Sequence, residues 1–316
     1  MSVTFEQLIE EPFAVVFPGQ GAQQPGMGLA WRDAEAWQLV SELSEGSGQD
    51  IAELLLTRSA DDLKRTDLAQ LSVFAASLIA WRHLSSVVGL PVPAAFAGHS
   101  LGEYTALVAA GALPIRDGAR LVAARGAAMR EAANATDGAM AAVIGAPLDE
   151  VAELVEDQRV AGHALWIANL NSPLQTVVAG AAKAVAVCEE EGYQRGLQVI
   201  RLPVAGAFHT ELMSAAGEPL RQALAEAAFA PAHAPVVANV DARVHRSGGD
   251  WAELLPRQLV SAVLWEGVVR TLTDELGCTA VIEVGPGRTL SNLTARIRPG
   301  VRTLSVDALS AAGRVA

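Results

Sequence analysis

Ala97-Gly98-His99-Ser100-Leu101-Gly102-Glu103-Tyr104 is the stretch whose reading decides the fold. A short apolar run, Pro93 to Ala97, leads into it, and an alanine-rich helical segment leads out of it to Gly111. The pattern is G-x-S-x-G between a strand and a helix. In that setting it reads as a nucleophile elbow, a turn so tight that the flanking positions must be small and the serine hydroxyl projects above the sheet. The backbone N–H of Leu101 then faces the same space as the Ser100 hydroxyl, and the dipole of the following helix favours negative charge there. The alternative use of the pattern is a plain tight turn with a solvated serine.

Working outward, Phe13-Ala14-Val15-Val16-Phe17 is a short continuous apolar run cut off by Pro18-Gly19, which predicts a fully buried strand. The glycine-rich loop behind it, Pro18 to Gly28, lacks the Gly-Lys-Ser/Thr ending of a P-loop and the spacing of a dinucleotide fingerprint. Its other use is to aim a backbone amide, that of Gln20, at an oxyanion near Ser100; a surface turn is the ordinary reading. From Trp31 to about Leu90 the apolar residues recur at helical spacing, as in Leu71, Phe74, Leu78 and Trp81, and read as core packing.

Ile115 to about Ala133 predicts another helix, in which Arg125 sits among Leu121, Val122, Ala128 and Met129. A buried arginine needs a carboxylate partner, from a protein acid or a bound ligand, and a structural ion pair is the first expectation. From Gly138 to about Pro203 the order of elements is β-α-β-β-α-β: strands Met140 to Ile144, Leu165 to Asn169, Thr176 to Gly180 and Gln198 to Leu202, with helices Leu148 to Glu156 and Ala182 to Gly192. That is the ferredoxin-like split unit, inserted into a larger one. Where the chain leaves it, Pro203 to Thr210 is a loop of small residues that delivers His209 to the start of a helix. Of six histidines this one stands apart, as the base an elbow serine requires. Val236 to Val240 and Ala280 to Val284 predict two more buried strands, and Ser310 to Ala316 a frayed tail.

Composition narrows the function. The chain has 316 residues, 51% hydrophobic, ample for a buried core. Its net charge of -12 argues against nucleic acid as a partner. Apolar runs fall well short of the roughly 18 residues needed to cross a bilayer, and Met1 to Glu11 carries acids without the basic flank of a signal peptide. Two cysteines, Cys188 and Cys278, form no C-x-x-C and read as free thiols in a reducing cytoplasm.

Taken together the motifs resemble the malonyl-CoA:acyl carrier protein transacylase family. The matching segments are Phe17-Pro18-Gly19-Gln20-Gly21-Ala22-Gln23, Gly98-His99-Ser100-Leu101-Gly102-Glu103-Tyr104, Arg125-Gly126 with Met129, Asn169-Leu170-Asn171-Ser172-Pro173, Gly206-Ala207-Phe208-His209, and Glu283-Val284-Gly285-Pro286-Gly287, in the family's order. The resemblance implies an α/β fold: a large α/β-hydrolase-like subdomain with a parallel-sheet core (residues 1–137 and 204–316) and an inserted smaller ferredoxin-like subdomain (residues 138–203). It also implies a ping-pong acyl transfer in which Ser100 is the nucleophile and His209 the base. The backbone N–H groups of Gln20 and Leu101 hold the oxyanion, and a backbone carbonyl of the Gln258-Leu259 stretch orients the imidazole. Arg125 matches the arginine that pairs with a malonyl carboxylate. His99, Met129 and Phe208 belong to the same acyl pocket, and Phe208 favours malonyl over methylmalonyl, an inference softened by the small Gly206 nearby.

On this resemblance the expected substrates are malonyl-CoA, a coenzyme A thioester, and an acyl carrier protein, with no permanently bound cofactor and no metal. A free-standing, trans-acting, monomeric enzyme of the cytoplasm is expected, in fatty-acid or polyketide synthesis. Arg288, Arg296, Arg298, Lys183, Arg195 and Arg201 are candidates for the basic patch that an acidic carrier requires. The sequence departs from the family at Arg130, where glutamine is frequent, and at Leu71 and Ala262, where proline is. An acyl hydrolase of the same fold, a transferase of another acyl group and a non-catalytic carrier-binding module are the competing functions.

Overall fold

In the computed structural model the described residues are 11–204 and 206–307; the expected frayed tail and the amino-terminal residues before Glu11 lie outside them. In chain order the strands are β1 (Phe13–Phe17), β2 (Ala95–Gly98), β3 (Gly138–Ile144), β4 (Leu165–Ser172), β5 (Gln175–Ala181), β6 (Gln198–Arg201), β7 (Val236–Val237), β8 (Val244–His245), β9 (Ala280–Val284) and β10 (Arg302–Val306). They form two sheets. The larger has the order β10-β9-β1-β2-β7-β8, parallel throughout except for β8, which runs antiparallel to β7 at the edge.

β1 lies at the centre, and each of its residues is buried because both faces of the sheet are covered. Phe13, Val15 and Phe17 point into one apolar layer together with Phe74, Phe96 and Leu121, from the helices Thr66–His83 and Ile115–Asn134 and from β2. Ala14 and Val16 point into the other, with Trp265, Val268 and Leu293. The alternation along one strand thus decides which helices pack on which face.

The smaller sheet is antiparallel, in the order β4-β5-β3-β6, with the helices Leu148–Val160 and Ala182–Gln194 on one face. Its first, second, third and last strands come in the β-α-β-β-α-β order read from the sequence. The helix-covered face has a core of its own, including Ala141, Val143, Leu154, Val178 and Val185. The opposite face contributes Met140, Ala142, Val177 and Ala179 to the large core, so the two sheets share an apolar boundary. A backbone tie reinforces it: Leu170 N–H donates to the Val263 carbonyl and Val263 N–H to the Ala168 carbonyl, both at 2.9 Å.

Two features depart from the sequence reading. The strand expected over Val236 to Val240 ends at Val237, and β8 and β10 were not foreseen. β7 is short because Asn239 is taken out of the ladder by bonds to the elbow, described below. β10 is an edge strand with arginine, threonine and serine in its five residues, so it lacks the continuous apolar run that marked β1 and β9. No helix among the described residues is long and apolar enough to cross a membrane.

Candidate active site

The site is assembled by register. Phe17 pairs with Gly98 in the parallel β1–β2 ladder, so the loops that follow, Pro18 to Gly21 and His99 to Leu101, leave the sheet side by side; His99 N–H donates to the Phe17 carbonyl at 3.0 Å. Between them the elbow closes without room for side chains. A Cβ on Gly98 would collide with the backbone of Gly102, and one on Gly102 with the Phe17 carbonyl. Ser100 itself adopts a φ of 52°, left-handed backbone that costs a non-glycine residue on the order of 1–3 kcal/mol and is held by the surrounding bonds. The helix Gly102–Ala109 starts directly behind it.

His209, also at positive φ (62°), approaches from the loop after the smaller sheet. Its Nε2 lies 2.8 Å from Ser100 Oγ and its Nδ1 2.8 Å from the Gln258 backbone carbonyl. A carbonyl only accepts, so Nδ1 carries the proton and Nε2 presents its lone pair to the serine hydroxyl. Burial, helped by the nearby Arg125 charge, pushes the imidazole pKa down to about 3. The ring is therefore neutral at ordinary pH. The backbone N–H groups of Gln20 and Leu101 donate to no protein group among the described residues.

Arg125 is 1% exposed, and the first expectation of a structural ion pair fails for it. Among the described residues no carboxylate lies within ion-pair distance. Its guanidinium donates instead to neutral acceptors: Nη1 to Gln70 Oε1 at 2.5 Å, Nη2 to Gln258 Oε1 at 2.8 Å and Nη2 to Ser100 Oγ at 3.0 Å. Its Nε has no hydrogen-bond partner among the described residues, and the group lies 5.4 Å from the centre of the Tyr104 ring. Desolvation lowers its pKa, more than Tyr104 and the nearby Glu103 raise it.

A cavity of about 520 Å³ opens over Ser100 and His209, lined also by Gln20, His99, Arg125, Met129 and Phe208. Ser100, His209, Gln20, Arg125, His99, Met129 and Phe208 thus line one space, and Leu101 is buried beneath it. Gln70 completes the wall beside Arg125 and also donates to Met129 Sδ at 3.3 Å; β3, β4 and the chain after β6 supply Met140, Asn169, Leu202 and Val204 on the opposite side. Gly206 does not widen the cavity, because a Cβ there would meet the Phe208 ring and Ala133. A second cavity, of about 750 Å³, shares Gln20, His99, Asn169 and Leu202 with the first and runs out to Thr289 and Leu293. At the junction His99 Nε2 is bonded to Asn171 Oδ1 at 2.9 Å.

Three polar residues that the sequence did not mark belong to this centre. Asn239 Oδ1 accepts from Ser100 N–H and its Nδ2 donates to the Gly98 carbonyl, both at 2.7 Å. Glu103 is buried beneath the elbow, and Gln70 stands alone among Leu68, Ala69 and Leu71; that isolated polar side chain in an apolar helix is the one signal that could have pointed to it. No group of three or more His, Cys, Asp or Glu side chains is placed to hold a metal among the described residues.

Residues 14–313 match the sequence model of the acyl transferase domain. The chain belongs to the acyl transferase domain family. Within that family it is 37% identical, over 93% of both chains, to the malonyl CoA-acyl carrier protein transacylase of Bacillus subtilis. The acyl transferase fold is shared with a solved malonyl-CoA:acyl carrier protein transacylase from Xanthomonas oryzae at a TM-score of 0.88 and 39% identity, covering 93% of this chain and 94% of that one. A solved complex of a type II polyketide acyl-carrier protein with its malonyl-transacylase gives a TM-score of 0.89 at 33% identity, covering 95% and 99%. This acyl transferase is thus matched over nearly its whole length. Arg130, one of its departures, does not line the cavity and pairs with Asp67, 3.4 Å distant.

Proposed function

We propose that the protein moves a malonyl group from coenzyme A to the phosphopantetheine thiol of an acyl carrier protein, through an acyl-enzyme on Ser100. The observation that carries this is a buried guanidinium with no carboxylate within ion-pair distance among the described residues, 3.0 Å from a serine hydroxyl that faces a neutral imidazole. A malonyl carboxylate supplies the missing anion, and a planar guanidinium fork binds it with two donors. The relatives' names, which couple malonyl-CoA with acyl carrier protein, support the same substrates.

The chemistry follows from the positions of the protons. As Ser100 Oγ attacks the thioester carbonyl, its proton passes to His209 Nε2, and the imidazolium is stabilised by the Gln258 carbonyl at Nδ1. The carbonyl oxygen becomes an oxyanion between the Gln20 and Leu101 N–H groups. Collapse breaks the carbon–sulfur bond, and coenzyme A leaves as a thiol with the proton from His209. In the second half the pantetheine thiol gives its proton to the same nitrogen and attacks the serine ester; Ser100 recovers its hydroxyl. Both thiols would enter by the second cavity, whose outer end lies beside exposed Arg288. Of the basic residues considered for carrier docking, Arg195, Arg201 and Arg298 are already paired with Asp157, Glu189 and Asp274. Of the remaining three, Arg288, Arg296 and Lys183, Arg288 adjoins Thr289 at the outer end of this cavity and is the better candidate. Residues 138–203 act in this reading as an inserted subdomain that walls the acyl pocket, and two buried free thiols suit a cytoplasmic enzyme.

The test is transfer of radiolabelled malonyl from malonyl-CoA to a holo carrier protein, with His209→Ala alongside. The proposal expects malonyl-carrier as product and a loss of roughly 10²–10⁴-fold in the variant. Release of free malonate with no malonyl-carrier would identify a hydrolase instead.

A further inference from the structure

The buried carboxylate of Glu103 is used by no step of the proposed reaction, yet it lies at the junction of all its parts. One oxygen, Oε1, accepts from the Asn239 backbone N–H and the other, Oε2, from Gln258 Nε2, each at 2.6 Å. Those two residues are the supports of the site. Asn239 fixes the Ser100 and Gly98 backbone through its side-chain amide, and Gln258 serves three groups at once: its backbone carbonyl holds His209, its Nε2 also donates to the Ser100 carbonyl at 2.9 Å, and its Oε1 faces Arg125.

We infer that Glu103 is a positioning residue for acyl selectivity: by accepting from Gln258 Nε2 it sets the orientation of that amide, so that Oε1, an acceptor, is turned to the Arg125 guanidinium. The inference rests on the malonyl reading above. Its logic is donor against acceptor. An amide has two nearly isosteric ends, and the neighbours alone decide which end points where. At one end of Gln258 stands a carboxylate, which accepts only; at the other stands a guanidinium, which donates only. With both in place the Gln258 side chain has one satisfied orientation, and Arg125 is held in line with Ser100 before substrate arrives. Contacts of 2.6 Å are those of a charge-assisted acceptor. Burial raises the Glu103 pKa to about 8 against the lowering pull of the Asn239 and Gln258 donors and the Arg125 charge, but both oxygens accept N–H bonds, which is the arrangement of the ionised form.

Replacing the acid by its amide reverses the instruction. In Glu103→Gln the new carbonyl stays with the Asn239 N–H, whose direction the backbone fixes, and the new NH₂ then faces Gln258 Nε2, donor to donor. Turning Gln258 over relieves this only by setting its Oε1 against the Ser100 carbonyl and its NH₂ against the Arg125 guanidinium, so in either orientation the amide no longer holds Arg125 as it does in the wild type. Arg125 is displaced; His209 keeps its backbone carbonyl. The damage therefore falls on malonyl recognition and spares acyl transfer as such.

The experiment compares kcat and KM for malonyl-CoA and acetyl-CoA in wild type, Glu103→Gln, Glu103→Asp, Gln258→Leu and the Glu103→Gln/Gln258→Leu pair. The expected result is a rise of about tenfold or more in the KM for malonyl-CoA in Glu103→Gln, with acetyl transfer within about threefold of wild type. Glu103→Asp, which accepts at both oxygens and cannot donate, should retain more of the malonyl preference than Glu103→Gln. In the Gln258→Leu background the Glu103→Gln change should add less than about twofold, since two residues acting through one amide are not additive. Equal losses for both acyl groups, or additive effects in the pair, would overturn the role of Glu103. Should Glu103→Gln not fold, the comparison of Glu103→Asp with Gln258→Leu decides: loss of malonyl preference in Gln258→Leu and not in Glu103→Asp is expected, and the reverse contradicts it. A wild type with no preference for malonyl over acetyl would instead sink the reading on which the inference rests.

Discussion

Arg125 Nη2 donates to Ser100 Oγ at 3.0 Å, so the cation proposed to select the substrate touches the atom proposed to attack it. The contact places a malonyl carboxylate, once bound to the guanidinium, at a fixed reach from that oxygen.

Replacing Arg125 with Ala should therefore weaken malonyl transfer far more than acetyl transfer. Hydrogen bonds to a charged partner in a dry site are worth about 2–3 kcal/mol, or roughly 30- to 150-fold in kcat/KM. Competition kinetics with the two thioesters give the ratio directly, and an unchanged ratio removes Arg125 from the pocket's function.

His209 gives a pH prediction with a definite sign. Its folded pKa of about 3 lies below the ordinary 6.5, so between those values the unfolded chain binds a proton that the folded chain refuses. Its contribution to stability is undiminished above pH 6.5 and is lost as pH falls from there toward 3. Because kcat/KM reports groups of the free enzyme, acyl-enzyme formation should stay level down to about pH 5. A pH–rate profile that instead falls in a single titration centred near 6.5 contradicts a buried, neutral imidazole.

Phe208 and Gly206 act as a pair, since the phenyl ring occupies the room that the missing side chain leaves. Phe208→Ser should open the acyl pocket and raise methylmalonyl relative to malonyl loading by about tenfold, the scale of one or two methylene-sized contacts. Gly206→Ala alone should reposition the ring without favouring the larger acyl group. Loading ratios measured by mass spectrometry separate the two outcomes.

Arg130→Gln, which restores the residue frequent in the family, should leave acyl selectivity within about twofold. Its guanidinium is half-exposed and paired with Asp67, and an exposed ion pair is worth at most about 1 kcal/mol. A large change in selectivity would place Arg130 in the pocket's mechanics after all.

The parts of the fold legible in the sequence were those with a local signature. β1 and β9 are continuous apolar runs because a central parallel strand is covered on both faces, and the inserted unit announced itself by the order of its elements. β10 was hidden by its polar edge residues. At the site, Ser100 was legible because an elbow needs glycines on either side, and His209 because the serine needs a base. Asn239, Glu103 and Gln70 carry no such mark. Glu103 and Gln258 are 155 positions apart, and what unites them is a complementarity of donors and acceptors that only the folded chain brings together. The fate of Arg125 was open for the same reason: sequence shows that a cation is buried but not whether an acid meets it.

The most direct test of the central claim is intact-protein mass spectrometry after brief exposure to an equimolar mixture of acetyl-, malonyl- and methylmalonyl-CoA, with Ser100→Ala in parallel. The account predicts a malonyl adduct on the wild type and none on the variant. A malonyl adduct that persists in Ser100→Ala, or a wild type that loads acetyl in preference to malonyl, would contradict it.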